Sequence, residues 1–305
     1  MPDEVAKTEE ASDLVSIRGT NCCVHHYQAE GSSPKALVVL YHGFLAHGAY
    51  PTVRYGAEFL AEAGYGVVAI DFPGHGKSEG LRGYLKSADD LIEDGIAMLR
   101  HARSLYSDAK NLPLVLCGSS MGGAIALSVA HRLNQMQEKD KDPAFVAPSL
   151  ILMAPMLKLN VSSLEHTALQ CLAYMVPTAR LIPSKATDPS KQYRDEKKRE
   201  EVLNDPQNTP PGTKLRIGSA LTCVDTTLKI IEAFDSITNP YLLLIADEDV
   251  VVKNEGSEVF HQKSPSQDKT KKNYPALHGL LCEPPPLCDT IENDILDWLD
   301  KRIGK

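Results

Sequence analysis

Short apolar segments alternate with amphipathic segments along most of this chain. Five segments have the length and the continuous apolar character of buried strands, and they span residues 36–41, 66–70, 113–117, 150–154 and 241–246. The spacing of apolar residues predicts helices over residues 55–64, from Ser87 through Leu99, over 123–130, and from near Asp289 to the chain end. Apolar strands that alternate with helices indicate an α/β fold, with a mostly parallel central sheet and helices on both faces.

The alternation stops between residues 157 and 239, where helical patterns are mixed with many prolines and a run of mixed charge. We therefore expect a core made of residues 1–156 and 240–305, interrupted by an inserted helical segment at 157–239. An insertion that leaves the sheet at the carboxyl ends of its strands would lie over a site at that edge and cover it as a cap.

An apolar stripe at helical spacing runs through the first part of the insertion, at Leu164, Ala168, Leu172, Met175 and Val176. Such a stripe packs the insertion onto the core or forms an apolar wall for a bound acyl chain, and one helix can do both. We take Leu164, Leu172, Met175 and Val176 as candidate substrate-binding residues.

The sequence Gly118-Ser119-Ser120-Met121-Gly122 carries the clearest chemical signal. It fits the pattern G-x-S-x-G and lies between a predicted strand and a predicted helix. A serine on such a tight turn is exposed above the sheet, and the flanking glycines let strand and helix approach closely. The free N–H groups at the helix start stabilise negative charge that forms near the serine. Ser120 is therefore the candidate nucleophile.

A serine hydroxyl needs a general base, and that base needs an orienting acid. In proteins with this kind of turn, an acid and then a histidine follow the serine in the chain. Asp247 and Asp249 come directly after the strand 241–246, and we favour Asp249 because the loop needs a few residues to turn toward the site. His278 follows on a loop before the last helix, so Ser120, Asp249 and His278 form the expected triad.

Two backbone N–H groups are expected to stabilise the oxyanion that forms when the serine attacks a carbonyl. One belongs to Met121, the residue after the nucleophile. The other is expected from Phe44, in the sequence His42-Gly43-Phe44 that follows the first predicted strand. We interpret His42 and His75 as structural residues, since both precede Ser120 in the chain.

Composition narrows the classes of function. The net charge is −8, without a basic patch or a base-stacking motif, so no nucleic-acid partner is expected. The seven cysteines form neither a disulfide framework nor a C-x-x-C pair, and nothing indicates a metal or another cofactor. No apolar segment is long enough to span a bilayer, and no signal peptide is visible. We expect a cytoplasmic protein, with transient membrane-surface contact through the cap as a further expectation and the oligomeric state left open.

These pieces resemble the monoacylglycerol lipase family of α/β-hydrolases, in particular its plant-type branch, which includes caffeoylshikimate esterase. The matching segments cover nearly the whole chain, at 42–44, 71–84, 118–123, 154–156, 176–178, 249–251, 278 and 294–302. The resemblance implies an α/β-hydrolase fold, the triad Ser120, Asp249 and His278, and a helical cap that holds a lipid entry.

The function that we expect is a cofactor-free serine ester hydrolase. It would cleave a monoacylglycerol, or a similar single-chain lipid ester, to fatty acid and alcohol through an acyl-enzyme. A lysophospholipase and a hydroxycinnamate esterase of the caffeoylshikimate type are alternatives within this class. A non-catalytic ligand receptor on the same fold is the alternative from another class, because a fold does not fix a function.

Overall fold

A sheet of eight strands forms the centre of the molecule in the computed structural model, which describes residues 10–29, 31, 33–106, 111–140, 147–184 and 188–303. The described strands are β1 (Glu10–Ile17), β2 (Thr20–Tyr27), β3 (Leu37–Tyr41), β4 (Gly66–Ile70), β5 (Leu114–Ser119), β6 (Ser149–Met153), β7 (Arg180–Ile182), β8 (Leu215–Arg216), β9 (Tyr241–Ala246) and β10 (Lys269–Tyr274). The order across the central sheet is β1-β2-β4-β3-β5-β6-β9-β10, and β7 pairs with β8 in a separate ribbon. Within the central sheet, β2 runs antiparallel to both neighbours and the remaining pairs are parallel, whereas β7 and β8 are antiparallel.

Helices cover both faces of this sheet. The described helices are α1 (Pro51–Glu62), α2 (Ala88–Ser104), α3 (Met121–Asp140), α4 (Ser163–Met175), α5 (Glu196–Asn204), α6 (Ile217–Glu232), α7 (Asn254–Lys263) and α8 (Leu287–Ile303). Leu99 of α2, Ile125 of α3 and Phe260 of α7 pack in the core on one face. Leu60 of α1 and Trp298 of α8 pack in the core on the other face. The expected α/β-hydrolase fold is confirmed.

Strand β9 shows why the central strands are apolar at every position. All six of its residues are buried. Leu243 and Ile245 pack in the core on the α3 side of the sheet, whereas Leu242 and Leu244 pack in the core on the α1 side. Successive side chains of a strand point to opposite faces, so a sheet covered on both faces requires apolar residues throughout.

Local sequence signals located several elements well. The predicted strand at 241–246 coincides with β9. Ser87 caps α2, and its hydroxyl accepts a hydrogen bond from the Asp90 N–H at 3.0 Å. Helix α1 begins at Pro51, earlier than predicted, because proline supplies a helical φ at a position whose N–H needs no helical partner.

The chain between β6 and β9 contains α4, β7, α5, β8 and α6. Helix α6 packs against both α3 and α4, and α4 has no buried residue. A capping box formed by Ser162 and Glu165 starts α4. Within the described ranges, no helix combines the length and the apolar character that crossing a bilayer requires.

Candidate active site

Ser120 occupies a sharp turn between β5 and α3. Its backbone has φ of 57°, in the left-handed region that non-glycine residues rarely adopt. A Cβ atom on Gly122 would overlap the carbonyl oxygen of Tyr41, and one on Gly118 would overlap the Gly122 carbonyl oxygen. The strand and the helix can therefore meet at this angle only because both flanking positions are glycine.

Backbone hydrogen bonds to β6 and the loop after it hold this turn in place. The Ser120 N–H donates to the carbonyl oxygen of Met153 at 3.0 Å, and the Ser120 carbonyl oxygen accepts from the Met156 N–H at 2.8 Å. These hydrogen bonds offset the strain of the positive φ. The turn leaves the side chain of Ser120 partly exposed above the sheet.

Asp249 and His278 form a buried pair on the loops that follow β9 and β10. His278 Nδ1 lies 2.6 Å from Asp249 Oδ2. The other carboxylate oxygen, Oδ1, accepts hydrogen bonds from the N–H groups of Val251 at 2.7 Å and Val252 at 3.0 Å. These two bonds fix the carboxylate, so that Oδ2 orients the imidazole and holds the ring proton on Nδ1. Nε2 is then left with a lone pair that can accept a proton.

Asp247, the rival acid, lies elsewhere. Its side chain is exposed and accepts a hydrogen bond from the Asn273 amide at 2.7 Å. The structure therefore brings His278 together with Asp249 and not with Asp247. Ser120 and His278 line one cavity, although among the described residues the Ser120 hydroxyl forms no hydrogen bond with His278 in this conformation. Catalytic hydrogen bonds often tighten only when substrate is bound.

The N–H groups of Phe44 and Met121 are free to bind a ligand. Within the part of the chain that the structure describes, neither of them donates a hydrogen bond. Phe44 and Ser120 both line the cavity, and Met121 is the first residue of α3. An oxyanion hole needs two such donors close to the nucleophile.

His42 helps to set the orientation of the Phe44 N–H. The Phe72 N–H donates to His42 Nε2 at 2.9 Å, so the ring proton sits on Nδ1 and is donated to the Gly43 carbonyl oxygen at 2.8 Å. Burial, reinforced by the nearby His75, lowers the pKa of His42 to about 3 and keeps the ring neutral. The Gly43 carbonyl oxygen also accepts from the Ala46 N–H at 3.2 Å. This carbonyl and the Phe44 N–H belong to one planar peptide and point in opposite directions, so His42 and Ala46 together direct the N–H.

The buried carboxylate of Asp71 also holds the loop that follows β3, which contains Phe44. It accepts hydrogen bonds from the Gly48 N–H at 2.5 Å, the Lys77 N–H at 2.8 Å and His25 Nε2 at 2.9 Å. Cys23, His25 and Asp71 offer ligand atoms within 4.8 Å of one another, the spacing of a metal site. However, the Asp71 oxygens already accept N–H donors, and His25 directs its nitrogen at the carboxylate. The group is better suited to joining β2, β4 and the loop after β3.

A cavity of about 530 Å³ opens above Ser120 and His278. Apolar side chains from the 157–239 insertion form much of its wall, including Leu159, Ala168, Leu169, Leu172, Ile182 and Leu215. Uncharged polar side chains also face it, including Tyr50, Thr52, Gln192, Tyr193, Asn208 and Thr209. The cavity can thus hold a molecule that is apolar over part of its length and polar elsewhere.

The structure places the four candidate substrate-binding residues differently from one another. Leu172 lines the cavity. Leu164, Met175 and Val176 do not line it, and Leu164 and Met175 are 81% and 74% exposed, so these two lie on the outer surface. The cavity wall uses the neighbouring positions Ala168 and Leu169 instead. Helix α4 is apolar on more than one face, and periodicity alone does not tell which face turns toward the site.

Comparisons with known proteins identify the family of this chain. A family profile described as "Serine aminopeptidase, S33" (Hydrolase_4) matches residues 32–285. Monoglyceride lipase of Rattus norvegicus is 29% identical over 297 residues, which cover 95% of this chain and 90% of that protein. Caffeoylshikimate esterase of Arabidopsis thaliana is 27% identical over 245 residues, which cover 79% of this chain and 71% of that protein.

A solved structure shares the fold over nearly the full length. It is a soluble variant of monoglyceride lipase from Saccharomyces cerevisiae in complex with a substrate analog. It matches this chain with a TM-score of 0.81 and 22% identity, and the match covers 98% of each chain.

The fold and these relatives define an enzyme of the serine hydrolase class. The family profile covers most of the chain, and the chain belongs to the serine aminopeptidase S33 (Hydrolase_4) family of α/β-hydrolases, within which it is of the monoacylglycerol lipase type. The alternative of a non-catalytic receptor is set aside by this membership.

Proposed function

We propose that this enzyme hydrolyses a single-chain lipid ester, most directly a monoacylglycerol, through an acyl-enzyme on Ser120. The observation that carries the proposal is that Ser120 and His278, which is paired with Asp249, line the same largely apolar cavity. The names of the monoglyceride lipase relatives support the same substrate class.

Each proposed step uses a group already described. His278 Nε2 removes the Ser120 proton as the serine oxygen attacks the ester carbonyl, and Asp249 stabilises the imidazolium that forms. The N–H groups of Phe44 and Met121 bind the oxyanion. The alcohol then leaves with the proton from His278. Water, activated by the same histidine, releases the fatty acid and restores Ser120.

The apolar wall is the proposed acyl-binding part of the cavity. Leu169, Leu172 and Ile182 offer aliphatic surface without charge. Each methylene that an acyl chain buries there adds up to about 0.8 kcal/mol. Where that gain is realised in the transition state, kcat/KM rises with acyl length.

The polar wall is the proposed alcohol-binding part. Tyr50 and Tyr193 are buried, and Tyr193 packs against Gly279, the residue after His278. Thr52 and Asn208 also line the cavity, and backbone hydrogen bonds with Val202 and Thr209 fix the Asn208 amide. Groups that both donate and accept hydrogen bonds suit an alcohol with several hydroxyls, such as glycerol.

A hydroxycinnamate ester is the second candidate. The rings of Tyr50 and Tyr193 lie 6.4 Å apart between centroids and provide aromatic surface at the cavity wall. The similarity to caffeoylshikimate esterase favours the same reading. A compact aromatic acyl group would not benefit from the long apolar wall, so the two candidates differ in their response to acyl length.

We propose that residues 157–239 act as the cap of this site. Support comes from the cavity itself, whose lining includes Leu172 of α4, Val202 of α5 and Val224 of α6 together with Ser120 and His278 of the core. Substrate would therefore reach the serine through or beneath this segment.

The outer side of the cap is the proposed contact with lipid surfaces. Leu164, Tyr174 and Met175 of α4 are exposed. Arg180 follows a few residues after Met175, and Arg216 is its partner across the β7–β8 ribbon. Both guanidinium groups donate to uncharged backbone carbonyl oxygens, and these contacts do not neutralise their positive charge. Exposed apolar side chains beside positive charge suit a bilayer with anionic headgroups.

An ester panel tests the substrate class. The purified protein and its Ser120→Ala variant are assayed on glycerol monoesters of increasing acyl length, on a lysophospholipid and on a caffeoyl ester. The proposal is supported if only the wild-type protein hydrolyses the glycerol esters and its turnover increases with acyl length. A flat or falling response with good turnover of the caffeoyl ester favours the second candidate.

Vesicle sedimentation tests the membrane contact. Binding to vesicles that contain phosphatidylserine, with weaker binding to phosphatidylcholine alone, is expected. The double variant Leu164→Ser with Met175→Ser should lose this binding and keep its activity on a soluble ester. Unchanged sedimentation of that variant would contradict the proposed contact.

A further inference from the structure

One side chain from the proposed cap contacts both loops that carry the Asp249–His278 pair. We call residues 247–252 the acid loop and residues 275–283 the histidine loop. Arg194 lies between α4 and α5, in the chain segment between residues 157 and 239. It does not line the cavity above Ser120.

The contact with the histidine loop runs through a buried carboxylate. Glu283 is 1% exposed, and its Oε2 accepts a hydrogen bond from Arg194 Nε at 2.9 Å. Its Oε1 accepts from the N–H of Leu277, the residue before His278, at 2.6 Å. Arg194 Nη2 also donates to the carbonyl oxygen of Pro275 at 3.3 Å. The backbone directly before the imidazole is therefore held through Arg194 and Glu283.

The contact with the acid loop uses the same guanidinium. Arg194 Nη2 lies 3.1 Å from Oε1 of Glu248, the residue before Asp249. The Glu248 N–H in turn donates to the carbonyl oxygen of Ala276 at 3.0 Å, which joins the acid loop to the histidine loop directly. A planar guanidinium with several N–H donors can bridge two carboxylates in a way that a lysine ammonium cannot reproduce.

Neighbouring residues of the cap strengthen the same connection. The Gly279 N–H donates to the Gln192 carbonyl oxygen at 2.9 Å. The ring of Tyr193 packs so closely on Gly279 that a Cβ there would come within 2.5 Å of Tyr193 Cε1. Lys198 Nζ donates to the Leu281 carbonyl oxygen at 3.0 Å. The histidine loop is therefore built against the cap and not only against the core.

We propose that Arg194 is a positioning residue, which joins the acid loop and the histidine loop to each other and to the cap. It thereby keeps the Asp249 carboxylate and the His278 imidazole in the relative position that hydrolysis requires. The proposal rests on the proposed function of Ser120, Asp249 and His278. It implies that catalytic competence depends on the cap being seated, because the cap supplies the cation that the buried Glu283 requires.

The test compares Arg194→Gln with Lys197→Gln. Both substitutions remove one positive charge from the same stretch of exposed chain, and among the described residues the Lys197 side chain forms no hydrogen bond or ion pair with either loop. Turnover is measured on a soluble butyrate ester and normalised to the number of active sites that react with a fluorophosphonate probe. Normalisation excludes unfolded protein from kcat, and the thermal midpoint is recorded for each variant.

We expect Arg194→Gln to lower kcat by about 10- to 100-fold with KM nearly unchanged, since small misplacements of catalytic groups cost rate more than binding. Arg194→Lys should lie between wild type and Arg194→Gln. Combining Arg194→Gln with Glu283→Gln should cost less than the product of the two single effects, because the two side chains share one of the contacts that hold the histidine loop. Added guanidinium at low millimolar concentration should partly restore kcat to Arg194→Ala. Lys197→Gln should behave as wild type.

An unchanged kcat in Arg194→Gln, or a loss confined to KM or to the thermal midpoint, overturns the positioning role. A loss in Arg194→Ala that guanidinium does not restore also counts against it. The proposed function is tested separately, by Ser120→Ala. If that variant kept the turnover of wild type, the proposed function itself would be wrong, whatever the Arg194 variants show.

Discussion

Asp249 divides its two carboxylate oxygens between the backbone and His278. Oδ1 accepts the N–H groups of Val251 and Val252, and Oδ2 lies 2.6 Å from His278 Nδ1. The Asp249 side chain is 0% exposed. The carboxylate cannot rotate without losing two backbone hydrogen bonds, so the direction of the imidazole is set by the loop after β9. This division gives the two aspartates of the loop distinct expected roles.

Ser120→Ala should abolish ester hydrolysis and leave the fold intact. The substitution removes the hydroxyl and adds no atom that could disturb the contacts of Ser120 with Met153 and Met156. Turnover and fluorophosphonate labelling are measured together with the circular dichroism spectrum. A variant that kept a tenth or more of wild-type turnover would show that another group is the nucleophile.

Asp249→Asn should lower kcat by roughly 10⁴-fold, because an amide cannot hold the histidine in the correct tautomer or stabilise the imidazolium. Asp247→Asn serves as the matched control, since Asp247 is exposed and bonds to Asn273. It should change kcat by less than about threefold, in line with a surface substitution. Steady-state kinetics on one soluble ester give both values, and the reverse ranking would contradict the assigned triad.

Leu172→Ala should reduce the preference for long acyl chains. Leu172 lines the cavity, whereas Leu164 on the same helix is 81% exposed. We compare kcat/KM for a long and a short glycerol ester. In Leu172→Ala the transition-state stabilisation that favours the long ester should decrease by about 1–3 kcal/mol. Leu164→Ala should leave the ratio unchanged on monomeric substrate. Equal effects of the two substitutions would remove the distinction between the inner and outer sides of α4.

Stability should fall as the pH falls below about 6.5. Burial lowers the pKa of His42 to about 3 and that of His75 to about 4, from the usual 6.5. Between pH 6.5 and pH 4 both histidines take up protons in the unfolded chain and stay neutral in the folded chain, so acid favours unfolding. Each histidine should cost about 2 kcal/mol between pH 7.5 and pH 5.

Urea unfolding of wild type and His75→Asn at these two pH values isolates one histidine. The difference in unfolding free energy between the two pH values should be smaller in His75→Asn by about 2 kcal/mol. Titrating groups that do not interact with His75 contribute equally to both proteins and cancel. His42 interacts with His75, but burial is the largest cause of its low pKa and keeps it neutral at both pH values. The same pH difference in the two proteins would mean that His75 is protonated in the folded state.

Local sequence was sufficient to predict most of the core strands and the three residues Ser120, Asp249 and His278. Continuous apolar runs of strand length, bounded by turn residues, indicate strands covered on both faces, and β9 begins and ends where its apolar run does. The glycines around Ser120 predicted the turn, because no other residue allows the helix to approach Tyr41 so closely. Chain order then pointed to Asp249 and His278, which the structure brings within hydrogen-bonding distance.

Only the tertiary structure decided which side of α4 faces the cavity and what surrounds the triad. Leu164, Leu172 and Met175 are equivalent in an apolar pattern. In the structure Leu172 lines the cavity and is 42% exposed, whereas Leu164 and Met175 do not line it and are 81% and 74% exposed. Arg194 and Glu283 lie 89 positions apart in the chain and carry no local signal. Their contact depends on how the insertion docks on the core, because a hydrogen bond between distant segments is set by packing and not by the residues near either partner.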